Sequence, residues 1–299
     1  MENSNRELFG TKSEFLKKLY SNILFVAVVE YLIYNKGLTL KYTAEAAFDP
    51  FASIIKEEFD LYYNHYFWLI VPIILTLVFM RLTCPGALYI FKKGSFGRRL
   101  RSLFTGLLIG VGITCILNFT AWISGTTVFS YNRFDWLLIP LLPLVFIQCT
   151  AEEMLLRGYV PAVLGEKHSW DVVCFVSGTL FIFHHVLNME IYGFEARYCL
   201  NLFLMGVFFC LMMKWEGNFW VTSGIHTGWN YTQLFVMGTS AGNKSMGIIT
   251  GKADYNPTFY DEKYGFISAV ITTVLFTVMI LLLIHTLSKR GKLEGYRDE

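Results

Sequence analysis

The chain has 299 residues, of which 54% are hydrophobic and only 16% are charged. A soluble domain usually carries about 25% charged residues, so this composition excludes an ordinary soluble domain. The net charge of +2 gives no basis for expecting nucleic acid as a partner. Because the apolar residues fall into repeated segments of membrane length, the sequence predicts an all-α, polytopic bundle of transmembrane helices in a lipid bilayer.

Eight segments, taken in chain order, are apolar enough to span a membrane. Their approximate bounds are 19–34, 67–82, 103–123, 136–159, 172–187, 200–213, 219–237 and 266–287. The first segment is not followed by the small-residue cleavage site of a signal peptide, so we expect a retained helix. The six cysteines form no C-x-x-C pair, and we interpret them as thiols packed within the membrane.

The basic residues are concentrated on one side of this predicted bundle. Six of them, with no acidic residue, lie between the second and third segments: Arg81, Lys92, Lys93, Arg98, Arg99 and Arg101. Further basic residues lie near the two ends, at Lys12, Lys17, Lys18, Lys289, Arg290 and Lys292. Cytoplasmic loops of membrane proteins are rich in Lys and Arg. We therefore predict that both termini are cytoplasmic and that the chain is a multi-pass protein of the plasma membrane.

Three charged residues lie at the end of the fourth segment, in the stretch QCTAEEMLLRGYVP. Glu153 and Arg157 are four residues apart on one helical face, so they can form an ion pair. Glu152 points about 100° away around the helix, which leaves this carboxylate free for another role. The alternative is a helix that ends at Gly158 and Pro161 and whose charges reach water.

Two adjacent histidines, His184 and His185, lie near the end of the fifth segment in the stretch TLFIFHHVLN. Neighbours on a helix point in different directions, so only one of them can face a given partner. Phe181 and Asn188 share a face with His185, which favours His185 and leaves His184 as the alternative. A pair of histidines at the membrane interface would show the same pattern.

The seventh segment contains a third polar motif, SGIHTGWNYT. His226 and Asn230 are four residues apart on one face of this helix. Gly224 and Gly228 narrow the helix and allow a neighbour to approach closely. Hydrogen bonding between membrane helices is the structural alternative for this motif. Five isolated polar residues have no partner at such spacing, and we interpret them as interfacial or structural: Glu30, His65, His168, Asn201 and His285.

Together the three motifs offer one free carboxylate, two histidines and an amide from three different segments. Ionisable groups inside a membrane usually face a cavity or a partner. A carboxylate can act as the base for a water molecule, while imidazole and amide groups can donate to an oxyanion. This set suits peptide hydrolysis in a water-lined cavity within the bundle.

The three motifs resemble the CAAX protease and bacteriocin-processing (CPBP) family of intramembrane endopeptidases, in its prokaryotic form. That family has E-E-x-x-x-R, F-x-x-x-H and H-x-x-x-N on three helices in this order, and here the motifs run from Glu152 to Asn230. Leu156 is a departure, because Phe is frequent at that position in the family. The resemblance covers residues 136–237. It implies an intramembrane protease.

The resemblance also implies a role for each motif residue. Glu152 would be the general base that activates water, assisted by His185. His226 and Asn230 would hold the oxyanion. The supporting residues would be Glu153, Arg157, His184 and Asn188.

The chain is predicted to have three regions. Residues 1–135 form an N-terminal membrane region with three spans and the basic cytoplasmic loop. Residues 136–240 form the catalytic membrane core that resembles the family. Residues 241–299 contain an external loop, the last span and a basic cytoplasmic tail.

A metalloprotease-like site is the alternative to a metal-free one. Glu152, His185 and His226 are residue types that bind zinc. The sequence contains no H-E-x-x-H motif. We therefore expect no cofactor, with zinc as the alternative.

The predicted function is the cleavage of a peptide bond in a membrane-associated or small peptide or protein substrate. The short EEMLLRGY form looks more like prokaryotic members of the family. This resemblance favours peptide maturation, bacteriocin immunity or the processing of a signalling peptide over the cleavage of a prenylated C-terminus. A non-catalytic immunity or peptide-binding protein could use the same polar cluster. A transporter is a third interpretation, although no internal repeat supports it. The oligomeric state stays open.

Overall fold

The computed structural model of the protein describes residues 14–51, 54–55, 57–238, 247–261 and 263–291. Lys12 and Lys292, which contributed to the predicted orientation, lie outside the described residues. The described chain is helical almost throughout, which confirms the predicted all-α bundle. The cytoplasmic placement of both ends and the division into three regions stay predictions.

The helices and strands follow one another along the chain in a simple order. The α-helices are α1 (Glu14–Tyr20), α2 (Ile23–Ala47), α3 (Glu57–Phe67), α4 (Ile70–Thr83), α5 (Phe96–Ile123), α6 (Leu138–Glu153), α7 (Val160–Leu164), α8 (Trp170–His184), α9 (Val186–Tyr192), α10 (Ala196–Glu216), α11 (Trp220–Tyr231) and α12 (Val270–Lys289). Two π-helical segments, Met154–Tyr159 and Thr232–Val236, follow α6 and α11, and 3-10 turns occupy Pro85–Phe91 and Phe266–Ser268. The strands β1 (Thr127–Tyr131) and β2 (Ile249–Ala253) pair antiparallel as a short ribbon.

Six helical stretches are long and apolar enough to cross a membrane, against the eight predicted. They are Ile23–Ala47, Tyr62–Thr83, Phe96–Ile123, Leu138–Leu164, Ala196–Glu216 and Val270–Lys289. A seventh is obtained when α8 and α9, which meet at a bend of 42°, are taken as one span. The remaining predicted span is α11 with its π-helical extension. Its helix has only 12 residues, and residues 221–229 are all buried, so other helices shield it and it needs no apolar outer face.

Helices α5 and α11 pack at backbone contact because each carries glycines in the interface. A Cβ added at Gly106 or Gly110 would clash with carbonyl oxygens of α11, and one added at Gly224 or Gly228 would clash with carbonyl oxygens of α5. Small residues allow membrane helices this close approach. The packing fixes the depth and rotation of α11, which carries the third motif.

The helical path continues beyond the end of α6, so the predicted termination at Gly158 and Pro161 is wrong. A π-helical turn accommodates Met154–Tyr159, and Pro161 lies in the first turn of α7, which follows this turn directly. The hydroxyl of Ser177 donates to the carbonyl oxygen of Leu156 in the π-helical turn. Residues 149–164 are all buried. The alternative of a helix end whose charges reach water is therefore also wrong.

Candidate active site

Glu153 and Arg157 form the predicted ion pair, and they lie across the junction between α6 and its π-helical extension. Arg157 Nη1 donates to Glu153 Oε1 at 3.0 Å, and neither side chain is exposed. Single π-helical turns occur frequently at functional sites because they change which side chains share a face. A buried ion pair is costly to desolvate, so further hydrogen bonds are needed to hold it.

The guanidinium of Arg157 is held by two other helices. Its Nη2 donates to the carbonyl oxygen of Gly206 in α10 at 3.2 Å. The guanidinium carbon lies 4.8 Å from the ring centre of Phe181 in α8 and 5.0 Å from that of Phe209 in α10. Gly206 packs against Gly178 so closely that an added Cβ would clash. Arg157 therefore connects α8, α10 and the first motif, and holds the Glu153 carboxylate in one orientation.

Glu153 has a second partner that sequence spacing could not reveal. His226 Nδ1 in α11 lies 3.0 Å from Glu153 Oε1, the same oxygen that accepts from Arg157. Because a carboxylate oxygen accepts, the contact places a proton on Nδ1. The neutral ring of His226 then carries a lone pair on Nε2, and only the doubly protonated ring can donate from that atom. Glu153 thus orients His226 as well as pairing with Arg157.

Glu152 has different hydrogen-bond partners from Glu153. Its Oε1 accepts a hydrogen bond from Gln148 Nε2 at 3.3 Å. Its Oε2 is buried and has no hydrogen-bond partner among the described residues. The carboxylate lies within electrostatic range of three imidazoles, those of His226, His185 and His184. Glu153 Oε2 is likewise without a hydrogen-bond partner among the described residues, so the two carboxylates differ in the partners of Oε1: a neutral amide for Glu152, and Arg157 with His226 for Glu153.

His185 is located at the break between α8 and α9. Its backbone (φ −104°, ψ 11°) falls between helical and extended values, in a region where many active-site residues lie. Its Nδ1 lies 2.9 Å from the carbonyl oxygen of Phe181, so this nitrogen carries the proton and donates. The lone pair of Nε2 is then free, and the ring is only partly buried.

His184 is not an interfacial residue, because it points away from His185 toward α2. Its side chain is buried, and Nε2 contacts Glu30 Oε1. Its ring stacks on Tyr34, with ring centres 3.7 Å apart and planes 9° apart. Of the two interpretations given for Glu30, interfacial or structural, its complete burial agrees with the structural one.

Asn188 and Asn230 have different surroundings. Asn188 Nδ2 donates to the hydroxyl of Tyr198 at 2.9 Å. The hydroxyl of Tyr264 donates to the backbone carbonyl oxygen of Gly193 and lies 3.3 Å from that of Asn188. Burial raises the pKa of that phenol, so it stays protonated. Asn230 Nδ2 donates weakly to Cys149 Sγ at 3.5 Å and is only partly buried. Asn188 is therefore bound within the protein, whereas the Asn230 amide can exchange its partner.

The zinc alternative finds no matching geometry in the described part of the chain. No group of three His, Cys, Asp or Glu side chains within it is arranged to hold a metal ion. Glu152, His185 and His226 are not arranged as a metal site in this part of the chain, and we derive no step through a metal.

Fold and site together define a multi-pass membrane protein with a buried cluster of carboxylates and imidazoles. Residues 134–232, about a third of the chain, match the family model described as "Type II CAAX prenyl endopeptidase Rce1-like". The match spans all three motifs and confirms the resemblance that they predicted. The matched family is one of proteases. Searches of curated proteins and of solved structures give no match.

Proposed function

We propose that the protein is an intramembrane endopeptidase in which Glu152 activates water to hydrolyse a peptide bond. The observation that supports this most strongly is the contrast between the two adjacent carboxylates. Glu153 bonds through Oε1 to two groups that can be charged, Arg157 and His226. Glu152 has one hydrogen-bond partner among the described residues, the neutral amide of Gln148, and its Oε2 has none. A carboxylate in such a position can bind a water molecule and accept its proton.

The reaction begins with a water molecule on Glu152 Oε2. As its oxygen attacks the carbonyl carbon of the substrate, Glu152 accepts the proton. His185 assists through the free lone pair of Nε2, which can take up and return a proton while Nδ1 stays on the Phe181 carbonyl. The proton then goes to the nitrogen of the leaving amine as the tetrahedral intermediate breaks down.

The negative charge on the intermediate requires donors close to the carbonyl oxygen. Asn230 can donate its amide N–H, since it has only a weak bond to Cys149 to give up. His226 can donate from Nε2 when the ring is doubly protonated, while Glu153 accepts from Nδ1. Arg157 and Glu153 do not touch the substrate in this scheme. They orient His226.

The proposed substrate is a membrane-associated or small peptide, processed by a protein of the plasma membrane that has both ends in the cytoplasm. Peptide maturation, including bacteriocin processing, is favoured over a prenylated C-terminus by the short EEMLLRGY motif. No cofactor takes part in the proposed reaction.

Comparative peptidomics of cells that express the wild type or Glu152→Ala tests the proposal and identifies the substrate. We expect at least one peptide to accumulate uncleaved with the variant. Glu190→Ala is the matched control, since Glu190 is an exposed glutamate of α9. Identical peptide profiles for wild type and Glu152→Ala would contradict the proposal. A cellular phenotype that survives Glu152→Gln would instead favour an immunity or peptide-binding protein.

A further inference from the structure

A second buried carboxylate lies near the candidate active site, but it comes from outside the segment that matches the family. Glu30 is in the first third of α2, the first membrane-length helix, and has no exposed surface. Burying an ionisable group inside a membrane protein costs free energy unless the group is paired. Its position in the sequence, 154 residues before its partner, gives no indication of a role.

The partner of Glu30 is the last residue of α8. Glu30 Oε1 contacts His184 Nε2, and the Tyr34 ring, one turn further along α2, lies parallel to the imidazole at 3.7 Å between ring centres. The carboxylate thus fixes one edge of the imidazole and the phenol fixes one face. His184 cannot rotate without breaking both contacts, so the end of α8 is attached to α2.

This attachment lies at the point where the chain bends. Helix α8 ends at His184, and α9 begins two residues later at an angle of 42°. His185 is the residue at the break, and its free Nε2 depends on the orientation that the break gives it. Helix α2 packs against α8 at this point, and the Glu152 carboxylate of α6 lies within electrostatic range of both histidines and of Tyr34.

The Glu30–His184 pair resembles the Glu153–His226 pair. There, Glu153 holds Nδ1 of His226 and leaves Nε2 for chemistry. Here, Glu30 holds Nε2 of His184, and Nδ1 has no hydrogen-bond partner among the described residues. Each imidazole is oriented by a buried carboxylate, which is how catalytic histidines are commonly held.

We propose that Glu30 is a positioning residue of the active site: by holding His184, with Tyr34 stacked on the ring, it fixes the end of α8 and so sets His185 against Glu152. This inference rests on the proposed endopeptidase function. It makes the first span a part of the site, although that span lies outside residues 134–232.

The first test uses NMR of the full chain in detergent with isotope-labelled histidine, which gives few signals because the chain has only six histidines. Signals are assigned with single His→Gln variants. We expect Glu30→Gln, which keeps the side-chain shape, to shift the signals of both His184 and His185. An unchanged His185 signal would overturn the proposal, because the proposal requires Glu30 to determine the position of the His185 ring.

Lys41→Met is the matched control for this experiment. Lys41 is also fully buried in α2, and its Nζ lies 2.6 Å from Nδ1 of another histidine, His65 in α3. Its loss should shift the signal of His65 and leave His184 and His185 unchanged. Shifts at His185 of equal size in both variants would show a general loosening of α2 and would also overturn the proposal.

The second test is kinetic. The probes are a quenched fluorescent peptide that ends in a farnesylated C-a-a-X sequence and the same peptide without the farnesyl group. We expect Glu30→Gln to lower kcat roughly 10- to 100-fold with little change in KM, because misplacing a catalytic group by about 1 Å has this effect. Glu30→Asp should recover part of the loss, and Lys41→Met should keep the wild-type kcat.

A double variant separates positioning from independent roles. If Glu30 acts only through His184, the variant with both Glu30→Gln and His184→Gln should be no slower than the slower single variant. Losses in kcat that multiply, or a Glu30→Gln kcat within twofold of wild type, would overturn the proposal. If wild type cleaves neither probe, endopeptidase activity on this class of peptide fails, and the NMR result decides the Glu30 inference.

Discussion

Two regions of the protein each hold an imidazole against a buried carboxylate, and they are stabilised differently. Between α6 and α11, the Glu153–His226 pair is completed by a cation, Arg157, which bonds to the same carboxylate oxygen. Between α2 and α8, the Glu30–His184 pair is completed by the stacked ring of Tyr34. A charge-assisted network is stronger and more directional than a stacking contact. The first pair should therefore contribute more to the stability of the fold than the second pair.

Removal of the cation should have the largest effect on stability. Arg157→Met keeps much of the side-chain volume but leaves Glu153 as a buried charge with one partner fewer. Breaking a buried pair in this way typically costs about 3–5 kcal/mol. We expect a large drop in the melting temperature in detergent and loss of cleavage, as measured by thermal unfolding and peptide hydrolysis.

Arg101→Met is the control for that variant, because Arg101 is an exposed arginine of α5. Its effect on the free energy of unfolding should stay within about 0.5 kcal/mol. Equal stability of the Arg157→Met and Arg101→Met proteins would show that the first pair does not depend on its cation.

A change in the packing of α11 should lower the stability less than Arg157→Met does, and it should affect only the Glu153–His226 region. Gly110→Ala adds a Cβ that would meet the carbonyl oxygen of Ile225, next to His226. Overpacking of this kind costs roughly 1–3 kcal/mol. We expect reduced stability and slower cleavage from displacement of His226. Gly112→Ala on the same helix faces open space and should behave as wild type. Indistinguishable Gly110→Ala and Gly112→Ala proteins would refute the backbone contact between α5 and α11.

Loss of the Tyr34 ring, which stacks on His184, should lower the stability less than Gly110→Ala does. Tyr34→Leu keeps an apolar side chain but removes the parallel contact with His184, and aromatic pairs contribute about 0.5–1.5 kcal/mol beyond burial. We expect a modest drop in melting temperature together with a shifted His184 NMR signal. A destabilisation as large as that of Arg157→Met would mean that the two regions are equally strong.

Chelation should have no effect. A purified sample that metal analysis shows to be metal-free should cleave at the wild-type rate after treatment with excess chelator, because Glu152, His185 and His226 do not form a metal site in the described chain. Loss of activity that is restored by added zinc would contradict this expectation.

The sequence predicted the parts of the site that are local. The ion pair of Glu153 with Arg157 follows from a spacing of four on one helix, and Gln148, which was overlooked, lies four residues before its partner Glu152. The contacts of Glu153 with His226 and of Glu30 with His184 join residues 73 and 154 apart. Such pairs depend on how the helices are arranged, which hydropathy and spacing do not specify.

For the fold, too, the sequence predicted some features and missed others. Hydropathy predicted an all-α bundle, but it overestimated the number of apolar spans, because α11 is shielded by neighbouring helices and carries polar residues. The π-helical turn after α6 was also not predicted. Gly158 and Pro161 are common at helix ends, yet tertiary packing carries the helix through both of them.

The most direct measurement of the central claim is a comparison of Glu152→Gln with Glu153→Gln, by cleavage of the substrate peptide and by thermal unfolding of the same preparations. We predict that Glu152→Gln abolishes cleavage while its melting temperature stays close to that of wild type, because the only hydrogen-bond partner of Glu152 among the described residues is the neutral amide of Gln148. Glu153→Gln should lower the melting temperature, because it removes the charge shared by Arg157 and His226. Full cleavage by Glu152→Gln would contradict the assignment of Glu152 as the base.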